Sequence, residues 1–506
     1  MENLGVWLTI GVYVAALVAI GIVSGRQSKS ISDLTVGGRS AGAWLSALSY
    51  GTSYFSAVMF IGYAGGTGLN FGMWGVLAGL GNAVFGSWLA WKMLARRTRD
   101  VSQRMKIKSM PQFFQRRYHS EKMKLFSTIV IFIFLIPYSA SVYKGLSSVA
   151  QVLLGIDDTI CMILIALLAI FLLVLGGYLV QARADFLQGL VMFFGVLLLI
   201  FFVVRSDRVG GLAGIADFAK NGNGLPKLNG SQWTSLIATV LMTSFGTWGL
   251  PQMITKYFGI KDDQQAKRGV WISTVFALLV AGGGYFIGSL AHRFFTAEDL
   301  AAMPQPVQDY VVPNILAVSN LPSVLMGIVL VLLLAASVTT LCSITLTACS
   351  TLTMDLVKGK LRPKMTDKKL GTLTKWLCTL FVILSYIVAN TKTPILDMMS
   401  YSWGIVSGSF LAPYVLPLFW KKMNRAGAWV GMLSGFCLAI IPAACKLLTG
   451  VGVTQSTVVL LAGKGPVFAV AAMLLSLAMC VVFSLAKPEK DRKNTEFFYN
   501  GLVENE

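Results

Sequence analysis

The chain has 506 residues, 55% of them hydrophobic and 13% charged, with a formal net charge of +20. So little charge cannot cover a water-soluble protein of this size, so the bilayer is the expected solvent. The positive balance does not point to nucleic acid, because the basic residues fall in short stretches between apolar runs and form no stripe interleaved with exposed aromatics.

A bilayer core takes about 20 apolar residues per helix. Thirteen segments qualify: 5–23, 43–63, 71–91, 125–153, 159–179, 186–204, 234–256, 269–290, 314–353, 374–390, 396–420, 426–447 and 466–486. The first lacks a basic leader and a small-residue cleavage site and is expected to be a retained span. The second is unusually polar: Ser49-Tyr50-Gly51-Thr52-Ser53-Tyr54-Phe55-Ser56, followed by Gly62, Gly65 and Gly66. The fourth carries Ser139-Ala140-Ser141 and Lys144, and the sixth starts beside Asp185. The seventh contains Ser244-Phe245-Gly246-Thr247-Trp248-Gly249-Leu250-Pro251-Gln252, and the ninth contains Ala336-Ser337-Val338-Thr339-Thr340. The seven cysteines lack CxxC spacing and read as small core hydrophobes. The two histidines leave little material for a metal or catalytic site, which argues against an enzyme.

With the N-terminus outside and the C-terminus in the cytoplasm, the cytoplasmic loops collect 33 Lys and Arg against 8 on the other face. Lys144 is the one left inside a span. The asymmetry sets the orientation and checks the span count, since one missed span would invert every later loop.

Proline and glycine in the second and seventh spans favour interrupted helices. Bare backbone at membrane depth is tolerated only where it lines a cavity or binds something. The two broken spans lie five spans apart. From Ser56 to Ser141 is 85 residues, and from Gly249 to Ser337 is 88. Small polar runs at these matched positions predict an all-α membrane protein built as a five-plus-five inverted repeat. Repeat one covers about 43–204 and repeat two about 234–420, with one helix before, two after, and a tail over 487–506. The whole chain 1–506 reads as a single transmembrane domain. Close helix packing by small residues is the competing explanation for each run.

The ordered set Val36-Gly37-Gly38-Arg39-Ser40, Gly42-Ala43-Trp44, Gly176-Gly177-Tyr178 with Asp185, Gly249 through Gln252, Thr339-Thr340-Leu341, Ser400-Tyr401-Ser402-Trp403 and Phe419-Trp420-Lys421-Lys422 resembles the sodium:solute symporter family. The nearest likeness is to its sodium/proline members. The resemblance implies a leucine-transporter-type fold and sodium-driven uptake of a small organic solute, an amino acid such as proline or a small carboxylate. Carried over residue by residue, it implies sodium ligands at the carbonyls of Thr52, Phe55 and Ala336 and the hydroxyls of Thr339 and Thr340. Five neutral oxygens suit a hard cation. Tyr54 stands where the proline carriers have an aspartate, so neither proline specificity nor an acidic group at that position carries over.

Charges inside a bilayer are expensive and ask for a function. Asp185 is either part of a second cation site, as in some members, or the partner of Arg183. Lys144 either meets a substrate carboxylate, stands in for a cation, or snorkels to the outer interface. Candidate substrate contacts are Ser53, Tyr54, Ser56, Lys144, Thr247, Trp248 and Gln252, with Tyr401 and Trp403 closing the outer side. Ordinary packing would also account for these aromatics. The expected partners are Na+, a small solute and the lipid bilayer of a plasma membrane, in style a bacterial inner membrane, with no obligatory protein partner. A proton-coupled carrier using Asp185 and a transporter-like sensor are the alternatives, the second disfavoured by a tail of 20 residues.

Overall fold

The computed structural model describes residues 4–25, 41–221, 224–319, 321–391, 393–488 and 498–499. The motif over 36–40 and most of the tail after 487 lie outside them. The side chains of 175–180 and 182 are likewise outside the description.

Nearly all of the described chain is helix. Fourteen helices frame the argument: α1 (Leu4–Gly25), α2 (Ala43–Tyr54), α3 (Ala64–Phe71), α4 (Met110–Tyr118), α5 (Glu121–Leu154), α6 (Asp158–Arg205), α7 (Gly230–Phe245), α8 (Pro251–Phe258), α9 (Asp263–Ser289), α10 (Ser323–Thr351), α11 (Asp367–Ala389), α12 (Ile395–Phe419), α13 (Arg425–Gly450) and α14 (Gly465–Ala486). Among the described residues ten helical stretches are long and apolar enough to cross a membrane. Outside the helices, regular pairing among the described residues is the isolated parallel bridge of Ala41 with Ile260.

Lipid-facing composition is visible helix by helix. On α11 the exposed large apolar side chains are Trp376, Leu380, Ile383 and Ile387, one stripe at helical spacing, while Cys378, Phe381, Val382 and Ser385 are buried. That reverses the pattern of a soluble amphipathic helix. α10 and α12 are both deeply buried. α10 packs against α1, α2, α5 and α6, and a second group, α12, α13 and α14, reaches the rest of the bundle through the contact of α12 with α5. There Gly427, Gly431 and Gly435 form a four-residue repeat along α13, and a methyl on each would strike Ser484, Cys480 or the backbone of Gly408. Small residues at this spacing let membrane helices approach closely, so van der Waals contact replaces the hydrophobic drive that lipid cannot supply.

Several expected spans are redrawn. The second predicted span runs further than residue 63: α2 ends at Tyr54, and a π-helical stretch, Val58–Tyr63, then leads into α3 as far as Phe71. The third continues past residue 91 to Arg104, through π-helical turns at Asn82–Leu89 and Trp91–Ala95. The arginines read as loop residues extend that helix because each finds an anchor. Arg96 pairs with Asp263 at 2.7 Å, Arg99 with the same carboxylate at 2.8 Å, and Arg97 donates to the Leu418 carbonyl at 3.0 Å. The ninth opens with a separate helix, Val311–Val318, before α10 begins at Ser323 behind Pro322.

The fifth and sixth predicted spans form one helical stretch of 48 residues. Straight, it would extend about 72 Å, more than twice a bilayer's apolar core. It is not straight: the Cys342 sulfur of α10 lies 3.9 Å from the Ala169 carbonyl oxygen, and Cys342 also lines a small cavity with Leu172, Asp185 and Gln188, so both halves of the stretch reach the same point on α10.

Hydrogen bonds sort the helix ends into two sets. At a basic end, Arg97 reaches Leu418, Arg117 reaches the Met423 carbonyl at 2.6 Å, and Asn424 reaches that of Lys487 at 2.7 Å. At the opposite end, His292 meets the Leu69 carbonyl at 2.8 Å and the Trp74 indole donates to that of Pro226 at 3.2 Å.

Candidate functional site

The interruption of α2 is built from its own sequence. Ser49, Thr52 and Ser53 are buried on it. Tyr54 is its last residue, and Phe55 leaves helical geometry at φ −98°, ψ 88°. Helix resumes after Ser56, whose hydroxyl accepts from the Val58 amide at 3.2 Å. Carbonyls at a helix end lose their intrahelical donors, so the oxygens around Thr52 to Phe55 are left facing inward. The neighbouring α10 is continuous there. Its Thr340 hydroxyl donates to the Thr52 carbonyl at 3.2 Å, and one turn further the Ser53 hydroxyl donates to Ser343 Oγ at 3.3 Å. Ala336 and Thr339 are buried on the same helix, and the Thr339 hydroxyl makes no hydrogen bond. Thr52, Thr340 and the Ser53–Ser343 pair thus form one seam between α2 and α10.

The second interruption joins α7 to α8. A 3₁₀ turn, Gly246–Trp248, is followed by extended Leu250, and Pro251 opens α8 at the position where its missing N–H costs nothing. The Gly246 carbonyl accepts the Gly249 amide at 3.1 Å and also the Ser407 hydroxyl of α12 at 2.6 Å. The two broken segments touch: the Tyr54 hydroxyl donates to the Thr243 carbonyl at 2.6 Å.

The expected solute contacts divide. Tyr54 stacks on Phe55 at 4.1 Å, and Trp403 lies 6.1 Å from Tyr54 and 5.6 Å from Tyr138, centroid to centroid. The Trp403 indole N–H, the Tyr138 hydroxyl and both amide atoms of Gln252 are buried without hydrogen-bond partners. Thr247 and Trp248 spend their donors on the scaffold, at the Ser244 carbonyl (2.9 Å) and the Phe85 carbonyl (3.0 Å). Tyr401 turns away from the break to the Ala462 carbonyl at 2.8 Å. Lys144 also points elsewhere, donating to the carbonyls of Thr391 and, at 3.0 Å, Thr393, just before α12.

The ion pair of Asp185 is with Lys256, a residue that neither alternative for Asp185 named. Its Oδ2 accepts from the Ser49 hydroxyl and from Lys256 Nζ at 3.1 Å, and Lys256 Nζ lies 2.8 Å from Ser49 Oγ. Both charged side chains are buried, at 0% and 2% exposure. The seventh predicted span ends at Lys256, which sequence alone counts among the charges of the loop that follows. Pro251, which restarts the helix, is the signal that five residues on the chain is still inside the protein.

Residues 35–435 match the model of the sodium:solute symporter family. The chain belongs to that family. Similar family relatives include the osmoregulated proline transporter OpuE of Bacillus subtilis, 26% identical over 88% of this chain and 90% of that protein. The sodium/proline symporter of Staphylococcus aureus is 27% identical over 87% and 86%, respectively. The solved structure of a Na+-coupled sialic acid symporter, substrate-bound and outward-open with a novel Na+ site, superposes with a TM-score of 0.77 at 16% identity, over 97% of this chain and 100% of that one. Mhp1, a nucleobase-cation-symport-1 family transporter in a closed conformation, superposes with a TM-score of 0.51 at 13% identity, over 92% and 97%. The structural likenesses establish the shared fold. As a member of the family, this chain is a multi-pass membrane transporter that moves a small organic solute together with sodium.

Proposed function

We propose that the sodium ion binds at the break in α2, held by the carbonyls of Thr52, Phe55 and Ala336 and the hydroxyls of Thr339 and Thr340. The observation that carries this reading is the 3.2 Å contact of the Thr340 hydroxyl with the Thr52 carbonyl, beside a Thr339 hydroxyl left without a partner. An arriving ion replaces that one hydrogen bond with oxygens that need no formal charge, and closes α2 onto α10. The solute sits beside it, against Ser56, Tyr138 and Trp403, whose polar edges face the interrupted helices. The relatives named as proline transporters make a small zwitterionic amino acid of the proline class the first solute to test.

The same reading takes α1 to α14 without the nine-residue α4, and with the segment 72–104, as thirteen crossings. α6 supplies two, and each broken pair, α2 with α3 and α7 with α8, supplies one. Helices from α2 through α6 form one repeat and those from α7 through α12 its inverted copy. The basic end faces the cytoplasm of a bacterial cell, which puts the N-terminus outside. Alternating access is then a rocking of the broken helices against α5, α6 and α10.

The test is a thermal-shift screen of the purified protein against proline, other small amino acids and short carboxylates, in sodium and in choline. A ligand that binds only the sodium-loaded form raises the transition in sodium alone. Equal stabilisation in choline overturns the sodium-coupled reading.

A further inference from the structure

The Asp185–Lys256 pair supplies none of the sodium ligands proposed above, although its cavity shares Thr339 with them, and it places two formal charges at membrane depth, where each is costly unless it serves something. Three features define its chemistry. Oδ2 of Asp185 is occupied by Lys256 and Ser49. Its Oδ1 has no partner and faces a small cavity lined by Gln181, Gln188, Thr339 and Cys342. The Gln188 side-chain oxygen and the Thr339 hydroxyl, also on that cavity, make no hydrogen bond as acceptors. A buried carboxylate beside an amide oxygen and a hydroxyl is the donor set that a hard monovalent cation takes. The ammonium of Lys256 sits 3.1 Å from that carboxylate, carried there on the last turn of α8.

We propose that Lys256 is a tethered cation that takes the place of a second transported ion. It neutralises Asp185 permanently, so that the cavity beside Oδ1 holds a neutral water and the chain binds one sodium ion per cycle. A second ion at Asp185 would lie against the like charge of Lys256. The cavity on the other side of Lys256, lined by Thr255, Ser343, Thr347, Ser350 and Lys108 among others, has no carboxylate among its lining residues. The lysine also ties the two broken segments together at that end, since it bridges Ser49 of α2 and belongs to α8.

The inference rests on the sodium-coupled reading, and equilibrium binding of radioactive sodium to the purified full-length chain tests the two separately. The wild-type chain is expected to bind one ion per molecule, Lys256→Gln two, and the double variant Lys256→Gln with Asp185→Asn one again. Thr340→Ala should weaken the same single site in wild type and one of the two sites in Lys256→Gln. Two ions in wild type, or one ion in a monodisperse Lys256→Gln, overturns the proposal. No saturable binding in wild type sinks the sodium-coupled reading instead. Should Lys256→Gln not fold, Asp185→Asn alone is informative. It must still bind one ion with unchanged affinity, and loss of sodium binding there means that the carboxylate itself ligates a transported ion.

Discussion

Thr340 shows how much a single hydroxyl can carry. It is fully buried and bonds across two helices to Thr52. Thr340→Ala removes one of the five proposed ligands and should lower the apparent sodium affinity about tenfold, the worth of one ligand-strength hydrogen bond, while Thr340→Ser keeps the oxygen and most of the affinity. Sodium titration of the thermal transition measures both, and an unchanged midpoint in the alanine variant removes Thr340 from the site. At the opposite end, Asp309 accepts the Ile395 amide at 3.2 Å as α12 begins. Burial pushes its carboxyl up to about 7, outweighing the Ile395 amide and the Lys144 amine, while Asp397 acts in the same direction as burial. A folded-state pKa above the unfolded value stabilises at low pH, and that contribution is lost as pH rises through about 7. Between pH 6 and pH 8 the wild-type chain should lose about 1.4 kcal/mol that Asp309→Asn does not lose. Parallel stability curves for the two proteins would show that Asp309 is ionised throughout. At this scale the sequence revealed residue types better than partners. Asp185 was singled out correctly as a buried charge, but its lysine lies 71 positions away on a helix whose interruption hid its depth.

The interrupted elements were legible because they break local rules: a polar run inside an apolar span, and Gly-Leu-Pro in mid-membrane. The role of the glycines was only half legible. Gly62, Gly65 and Gly66 were grouped with the first break, yet the chain departs from helix earlier, at Phe55. A methyl on Gly65 would strike the Gln308 backbone, and one on Gly68 would strike Gly288 of α9. These glycines therefore serve close approach, which depends on neighbours that the sequence does not name. Gly249, at the second break, combines both uses: a methyl there would lie 2.9 Å from Ser407 Cα and 3.0 Å from the Leu411 amide nitrogen of α12. Backbone cannot swing aside as a side-chain tip can, so Gly249→Ala should cost about 1–3 kcal/mol. Gly282 of α9 is the control, since a methyl there meets nothing within 4 Å and alanine favours helix. A melting temperature for Gly249→Ala equal to that of Gly282→Ala would mean that α12 yields at this contact.

For the molecule as a whole, loop charge and apolar length outlined the bundle, and the departures lie at helix ends. Arg96, Arg97 and Arg99 read as loop residues in isolation because their anchors, Asp263 and Leu418, are remote in sequence. The proposed orientation rests on the charge asymmetry, and it can be tested from outside. An impermeant thiol reagent should label Asn221→Cys in intact cells and Lys364→Cys only after permeabilisation, and the reverse pattern would invert the topology. The ion count then sets what the transporter can achieve. At about 100 mV one sodium supplies roughly 2.3 kcal/mol from the potential, and a tenfold gradient adds about 1.4. If Lys256 occupies the place of a second ion, a zwitterionic solute that carries no charge of its own accumulates at most roughly 500-fold under these conditions. Two ions would raise that ceiling to the order of 10⁵. Proteoliposomes with a fixed potential and a known sodium gradient, loaded with the labelled solute that the thermal screen selects, measure the limit directly. Accumulation that passes several thousand-fold would require a second ion, and with it a Lys256 that leaves Asp185 during the cycle.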